Sequence, residues 1–216
     1  MLFRSFGAIP RSPHPIPEVY TEEPAQTGQR RVTVRRPGEV GVVALGYKAP
    51  AATHADHAAL EVLAAILGEG KTSRLYRALI DTNLAISADA GQEFLHDPNL
   101  FLVLSMLAPG ATHTQVEAAL VTEIEKIKRE GVTPDEVSRA TSKLLARNAY
   151  ARDGSYAIAS QINEPIAVGD WSLYFRGPAA IKAVTPLDVL HVAQTYFLES
   201  QSTVGWFIPE ATAAGA

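Results

Sequence analysis

GEGKTSRLYRALIDTNLA, residues Gly68–Ala85, sets a glycine stop, a short amphipathic helix and the start of a strand in immediate succession. The residues before it, Asp56–Leu67, are apolar on almost every face, with Leu60, Val62, Leu63, Ile66 and Leu67, as expected of a helix covered on several sides. Gly68 and Gly70 then supply its C-terminal stop by relieving the steric cost of a left-handed turn. A second helix is expected over Ser73–Thr82, and the alternation of Ile86, Ala88 and Ala90 predicts a strand. A buried helix that feeds a sheet through a glycine turn calls for a layered fold.

Working outward, Val32 and Val34 alternate with polar neighbours, the pattern breaks at Pro37-Gly38, and an apolar run follows over Val40–Tyr47. These are two expected strands, the second more buried. Downstream, Asp97-Pro98-Asn99 turns the chain into Leu100–Met106, an almost continuous apolar run typical of a central strand. Three helices are marked by capping boxes: Thr114 with Glu117, Thr133 with Glu136, and Thr185 with Asp188. Pro134 and Pro186 stand at first helical positions, where a missing N–H costs nothing. Asp153-Gly154-Ser155 has the character of a helix-to-helix break, and Thr203–Ile208 of a closing strand. The expected architecture is α+β, a largely antiparallel β-sheet with helices packed on it. From Pro10 to Gly28 the prolines are spaced so as to prevent both helix and ladder pairing. The domain expectation is therefore a Pro-rich linker from a preceding domain over 1–30, a folded unit over 31–210, and a flexible tail over 211–216.

With 216 residues, 47% of them hydrophobic, the chain has material for one sizeable core. A formal net charge of −4 gives no basic footprint, so nucleic acid is not an expected partner. No run is long enough to span a bilayer, which predicts a soluble protein, and the opening Met-Leu-Phe-Arg-Ser-Phe is too short for a signal peptide. Cysteine is absent, which removes disulfides, thiolate metal sites and a cysteine nucleophile together.

Local chemistry is sparse. His54 and His57, with Asp56 and Glu61 nearby, let a metal site be imagined, but a spacing of three lacks the four-residue offset that stacks two imidazoles on one helix face. A surface helix start with Asp56 in its first turn accounts for them better. Gly70-Lys71-Thr72 resembles the end of a phosphate-binding loop, yet the position of its first glycine holds Ala65 and the triplet follows a helix instead of a strand. No Gly-x-Ser-x-Gly elbow surrounds Ser155 or any other serine. The carboxylates from Glu123 to Glu136 are expected as a solvated helix face and caps. No catalytic residue and no metal ligand is assigned, and the substrate-binding residues stay open.

Ser73-Arg74-Leu75-Tyr76 with Leu84-Ala85, the stretch Phe6-Gly7-Ala8-Ile9-Pro10, and the exit Ser202–Pro209 together resemble the M16 metallopeptidase family. That resemblance implies a domain of the LuxS/MPP-like fold. M16 enzymes hold zinc with His-x-x-Glu-His and a distal Glu, and no such string occurs here. The likeness is therefore to the non-catalytic, C-terminal half of an M16 unit, whose zinc belongs to a separate, preceding domain. It implies that domain as partner, an unstructured peptide as substrate of the assembled clamshell, room for a homo-oligomer, and a bacterial periplasmic or cytoplasmic setting for the parent. An Arg and a Tyr that grip peptide in related domains fall by alignment on Ile80 and Ile86, neither of which can donate a hydrogen bond. A structural subunit of the same fold, like the core proteins of respiratory complexes, is the competing expectation.

Overall fold

The computed structural model describes residues 23–210 continuously, together with residues 4, 7–10 and 12–15. The expected tail at 211–216 and most of the expected linker's first 22 residues lie outside the described part.

Five strands form one sheet: β1 (Arg30–Pro37), β2 (Val42–Ala49), β3 (Ala85–Gln92), β4 (Asn99–Leu107) and β5 (Ser202–Glu210), in the order β1-β5-β2-β4-β3. All neighbours are antiparallel except β1 and β5. The sheet is thus largely antiparallel, as expected. β1 and β2, consecutive in sequence, are not neighbours, because the last strand lies between them.

The helices are α1 (His57–Gly68), α2 (His113–Glu130), α3 (Pro134–Tyr150), α4 (Ser155–Ala167), α5 (Leu173–Ala183) and α6 (Pro186–Tyr196). The core lies between them and one face of the sheet. There Val43, Leu45 and Tyr47 of β2 and Phe101 and Val103 of β4 meet Leu60, Leu63 and Leu67 of α1 and Leu120, Ile124 and Ile127 of α2. Phe197, just past α6, stacks at 4.8 Å on Tyr47 and 4.9 Å on Phe101. No helix among the described residues is long and apolar enough to cross a membrane.

Several local expectations shift. The cap of α2 is Thr112 with Gln115, two residues before the expected Thr114–Glu117 pair. Gly110, at φ +85°, turns the chain so that Thr112 takes the extended conformation an N-cap needs, which leaves Thr114 inside the first turn. Glu117 is spent elsewhere, accepting from the Arg31 guanidinium and, at 2.7 Å, from the Trp206 indole N–H. The boxes at Thr133–Glu136 and Thr185–Asp188 form as expected. α4 and α5 carried no capping signal because neither Gly154 nor Ser172 makes a side-chain cap, and each helix contains a proline, Pro165 and Pro178. β4 is not central but next to the edge, and only one of its faces is buried.

The decisive stretch also differs from its reading. Gly70 has the positive φ, +82°, whereas Gly68 serves proximity: a Cβ there would lie 2.6 Å from the Ala90 amide nitrogen. α1 therefore runs flush against β3. Beyond Arg74 the expected helix widens to a π-helix over Tyr76–Ile80, with i to i−5 bonds from Asp81 N–H to Tyr76 O at 3.1 Å and Leu84 N–H to Leu79 O at 2.8 Å. This winding keeps both Leu75 and Leu79 fully buried.

Candidate functional site

An open cleft of about 670 Å³ lies between α1, the Asp89–Gln92 stretch of β3, α3 and the α4–α5 pair. Its floor follows from Gly68, since α1 can press against β3 only where no side chain intervenes. β3 is an edge strand, paired on one side with β4. Among the described residues the backbone of Asp89–Gln92 has no ladder partner on its other edge, which borders the cleft. A register shift between Ala85 and Ser87 bends the strand just before this stretch.

The paired charges along the cleft come from α1, its C-cap Glu69 and α3. Arg147 donates to Glu61 at 3.2 Å and reaches Glu69 at 3.8 Å. Burial pushes the Glu61 carboxyl above its ordinary range, against the pull of Arg147 and with the help of Glu69. His57 contacts the Gln92 amide through Nδ1 and lies edge-on to Phe94 at 5.3 Å. Burial lowers its pKa to about 4, so the ring is neutral at pH 7. On the far wall Arg152 sits 4.6 Å above the Tyr174 ring. The Gln92 Oε1 atom is buried without a hydrogen-bond partner among the described residues.

The four residues that suggested a metal site do not converge on one point. His54 is half exposed and accepts the Asp56 amide N–H at 3.1 Å. The Asp56 Oδ2 atom, 3.7 Å from His54 Nδ1, is engaged by the Tyr196 hydroxyl, which donates to it at 2.7 Å. His57 and Glu61 do share one face of α1, but Gln92 engages one and Arg147 neutralises the other. Among the described residues no group of three or more His, Asp or Glu side chains converges as a metal would require. This donor set does not suit zinc. Gly70-Lys71-Thr72 forms an exposed turn that joins the end of α1 to the helical segment beginning at Arg74, so it follows a helix and not a strand. Ser155 opens α4 at the surface. Ile80 packs against the core, and Ile86 is exposed beside the β3 irregularity. Local spacing did not reveal the cleft, because its charged members come from α1 and α3, more than 80 residues apart. An edge strand with Asp89, Gly91 and Gln92 was the only available signal.

A family profile described as the peptidase M16 inactive domain matches residues 1–144. The zinc protease PqqE of Helicobacter pylori is 30% identical over 196 residues, covering 90% of this chain and 44% of that protein. An uncharacterized zinc protease of Streptomyces coelicolor is 27% identical over 175 residues, covering 76% of this chain and 38% of its own. Among solved structures, a protease from Helicobacter pylori superposes with a TM-score of 0.90 at 28% identity, over 96% of this chain and 51% of that one. The inactive peptidase domain crystallised from Bordetella parapertussis superposes with a TM-score of 0.75 at 29% identity, over 85% of this chain and 98% of that one. The chain thus spans less than half the length of the curated relatives it matches.

Proposed function

The chain belongs to the M16 peptidase family as one of its inactive domains, and from that premise we propose that it is the peptide-holding, non-catalytic half of a zinc-dependent M16-like peptidase. In this reading a preceding domain with His-x-x-Glu-His supplies the metal chemistry. This domain closes the clamshell around an unfolded peptide and keeps a stretch of it extended. Residues 1–30 are then the connector, 31–210 the folded unit and 211–216 a tail, and the compartment, bacterial periplasm or cytoplasm, is that of the parent.

The observation that carries the reading is the unpaired edge of β3 along the floor of the cleft. An edge strand offers backbone donors and acceptors in a row, and an extended peptide can add to it as a further strand with little regard for sequence. The cleft volume lies inside the range of about 300–1,000 Å³ common to ligand pockets. Glu61, Glu69 and Glu164 border it with Arg147 and Arg152, so side chains of either sign find a partner. Among the described residues the two titratable groups on the cleft face of α1 are already engaged, His57 by the Gln92 amide and Glu61 by Arg147, which supports a holding role over a catalytic one.

The test is binding of an unstructured, fluorescently labelled peptide to the isolated chain. Gly177 of α5 lines the cleft with open space where a Cβ would stand, so Gly177→Trp introduces a large side chain at an uncrowded point of its wall. Micromolar binding that Gly177→Trp weakens at least about tenfold is expected, a loss of ~1.4 kcal/mol. Absence of binding, or binding indifferent to Gly177→Trp, would refute the assignment of the cleft.

A further inference from the structure

We propose that the free edge of β1 is a docking site for an acidic, extended segment of a partner protein, which adds to the sheet as a further strand. β1 stands at one end of the strand order and pairs only with β5, in an unbroken parallel register from Arg30 to Pro37. A strand bonded on one side leaves the N–H and C=O groups of every second residue directed outward. Among the described residues no backbone group outside β5 bonds to those of Arg30–Pro37, and all eight residues are exposed.

The edge is built to accept a strand and not to deter one. Edges are ordinarily blunted by a bulge, an interior proline or a charge at mid-strand. β1 has no register shift, and its one proline, Pro37, is its last residue. Its middle is Val32-Thr33-Val34, three β-branched residues that favour extended pairing. The charges stand at both ends instead, with Arg30 and Arg31 before this centre and Arg35 and Arg36 after it. Because side chains alternate along a strand, Arg30 and Arg36 lie on one face of the sheet and Arg31 and Arg35 on the other. A carboxylate at either end of an added strand therefore meets a guanidinium whichever face it points to.

Charge selects the occupant. The chain carries a formal net charge of −4, so the arginines of β1 are a local departure from its balance. Among the described residues Arg31 is the member of this set that pairs with a carboxylate, Glu117 of α2, and Glu210 lies opposite Pro37 at one end. A positive excess remains, and its complement is acidic. Arg30–Arg36 also reads the same in both directions. A second copy added antiparallel about Thr33 would set Arg30 against Arg36 and Arg31 against Arg35, and like charges directly opposite one another are destabilising. A copy added in parallel register would set each arginine beside its like. The edge thus rejects copies of itself and admits an acidic strand, a specificity obtained by repulsion as well as attraction. The chain's own upstream segment leaves in another direction: Gln29 and Gln26 reach Ser202, and Glu23 meets Lys48 of β2. The β3 edge that borders the cleft lies at the other end of the strand order, so the two sites stand or fall separately.

The probe is a labelled peptide, Glu-Glu-Val-Thr-Val-Glu-Glu with blocked ends, titrated with the full chain by fluorescence anisotropy at low ionic strength. Expected are micromolar binding that weakens as salt is added, a preference of at least about tenfold over Lys-Lys-Val-Thr-Val-Lys-Lys, and an affinity undiminished when Gly177→Trp blocks the cleft. Arg30→Glu/Arg35→Glu/Arg36→Glu, which leaves the Arg31 pair with Glu117 in place, should keep the melting midpoint and reverse the preference. If that variant does not fold, Arg30→Gln/Arg36→Gln takes its place and should weaken binding of the acidic probe at least about fivefold. N-methylation separates strand addition from attraction by charge. Methylating one alternate set of probe amides should abolish binding, and methylating the other set should leave it intact, since a strand presents only every second amide to a neighbour. Binding that tolerates methylation of either set overturns strand addition. Absence of binding, equal binding of the two probes, a preference that the arginine variants leave unchanged, or loss in Gly177→Trp overturns the site. Concentration-dependent self-association abolished by the arginine variants makes a second copy the occupant and overturns it as well.

Discussion

Glu136→Gln tests the tightest polar knot in the domain. Arg74 donates to both carboxylate oxygens of Glu136, at 2.8 and 2.9 Å, and to the Gly131 carbonyl at 3.1 Å. The same carboxylate accepts the Thr133 amide at 2.8 Å and so caps α3. The knot ties the π-helical segment to the α2–α3 turn. Burial works against the charged form of Glu136, but the Arg74 hydrogen bond, the Thr133 amide and the Arg74 charge outweigh it and hold the pKa down at about 2, from an ordinary 4.5. Each unit is worth ~1.36 kcal/mol, so the ionised carboxylate contributes up to roughly 3 kcal/mol; with 19% of the side chain exposed, about 2–3 kcal/mol is expected. A depressed carboxyl pKa gives stability that is complete above pH 4.5 and is lost as the pH falls toward 2. Gln keeps the shape and can still accept the Thr133 amide, so the variant removes the charge and not the cap. It also strands a cation whose Nη1 is already buried without a partner. Urea unfolding at pH 7 should show a loss of ~2–3 kcal/mol, shrinking to below ~1 kcal/mol at pH 2.5 and vanishing only as the pH falls below 2. Arg74→Lys, which keeps charge but not the paired hydrogen bonds, should fall in between. A loss below about 0.5 kcal/mol at pH 7, the range of an ordinary surface change, or an unaltered pH slope in Glu136→Gln, would refute the reasoning.

Gly68→Ala should destabilise by about 2–3 kcal/mol because α1 must be pushed off β3, and Gly70→Ala by about 1 kcal/mol for its left-handed backbone; equal thermal midpoints for the two would contradict the separate roles. His57, with its pKa lowered to about 4 by burial, binds no proton in the folded state where the unfolded chain does, so stability should decline as pH falls from 6.5 to 4. His57→Leu should abolish that limb, worth up to roughly 3 kcal/mol, and persistence of the slope in the variant would assign it elsewhere. The dialysed chain should hold far less than one zinc and show no chelator-sensitive peptide hydrolysis. One firmly retained zinc per chain would bring His54 and His57 back as ligands.

Periodicity and capping chemistry located most elements, because Leu60–Leu67 and Val116–Ile127 write their buried stripes into the sequence. What they could not supply was adjacency. Nothing in Thr203–Ile208 says that it inserts between Val32 and Val43, and nothing in Leu100–Met106 separates a fully buried strand from one with an exposed outer face. The α2 cap was misplaced by two residues because Thr112 and Thr114 both precede suitable acceptors, and only the Gly110 turn decides between them. Gly68 was read as a conformational residue, whereas its neighbour in space, Ala90, makes it a packing one. The resemblance carried by Ser73–Tyr76 gave the family, while the cleft rests on Glu61 and Arg147, whose meeting no local spacing announces.

The position of β5 fixes when this domain can exist. Residues 202–210 lie inside the sheet, second from one edge, bonded to β2 on one side and to β1 on the other. On a ribosome the first strand has no place in the sheet until more than 160 further residues have been made, at least several seconds of synthesis at about 5–20 residues per second. Until then Val43, Leu45 and Phe101 can collapse on the helices, but β1 stays a loose, arginine-rich arm. A chain stopped just short of Ser202 would lose the strand that joins β1 to everything else, and would present β2 as a bare apolar edge open to other nascent chains. The nine residues of β5 therefore act as the lock of the fold, which makes a lesion within Ser202–Glu210 as damaging as one in the core.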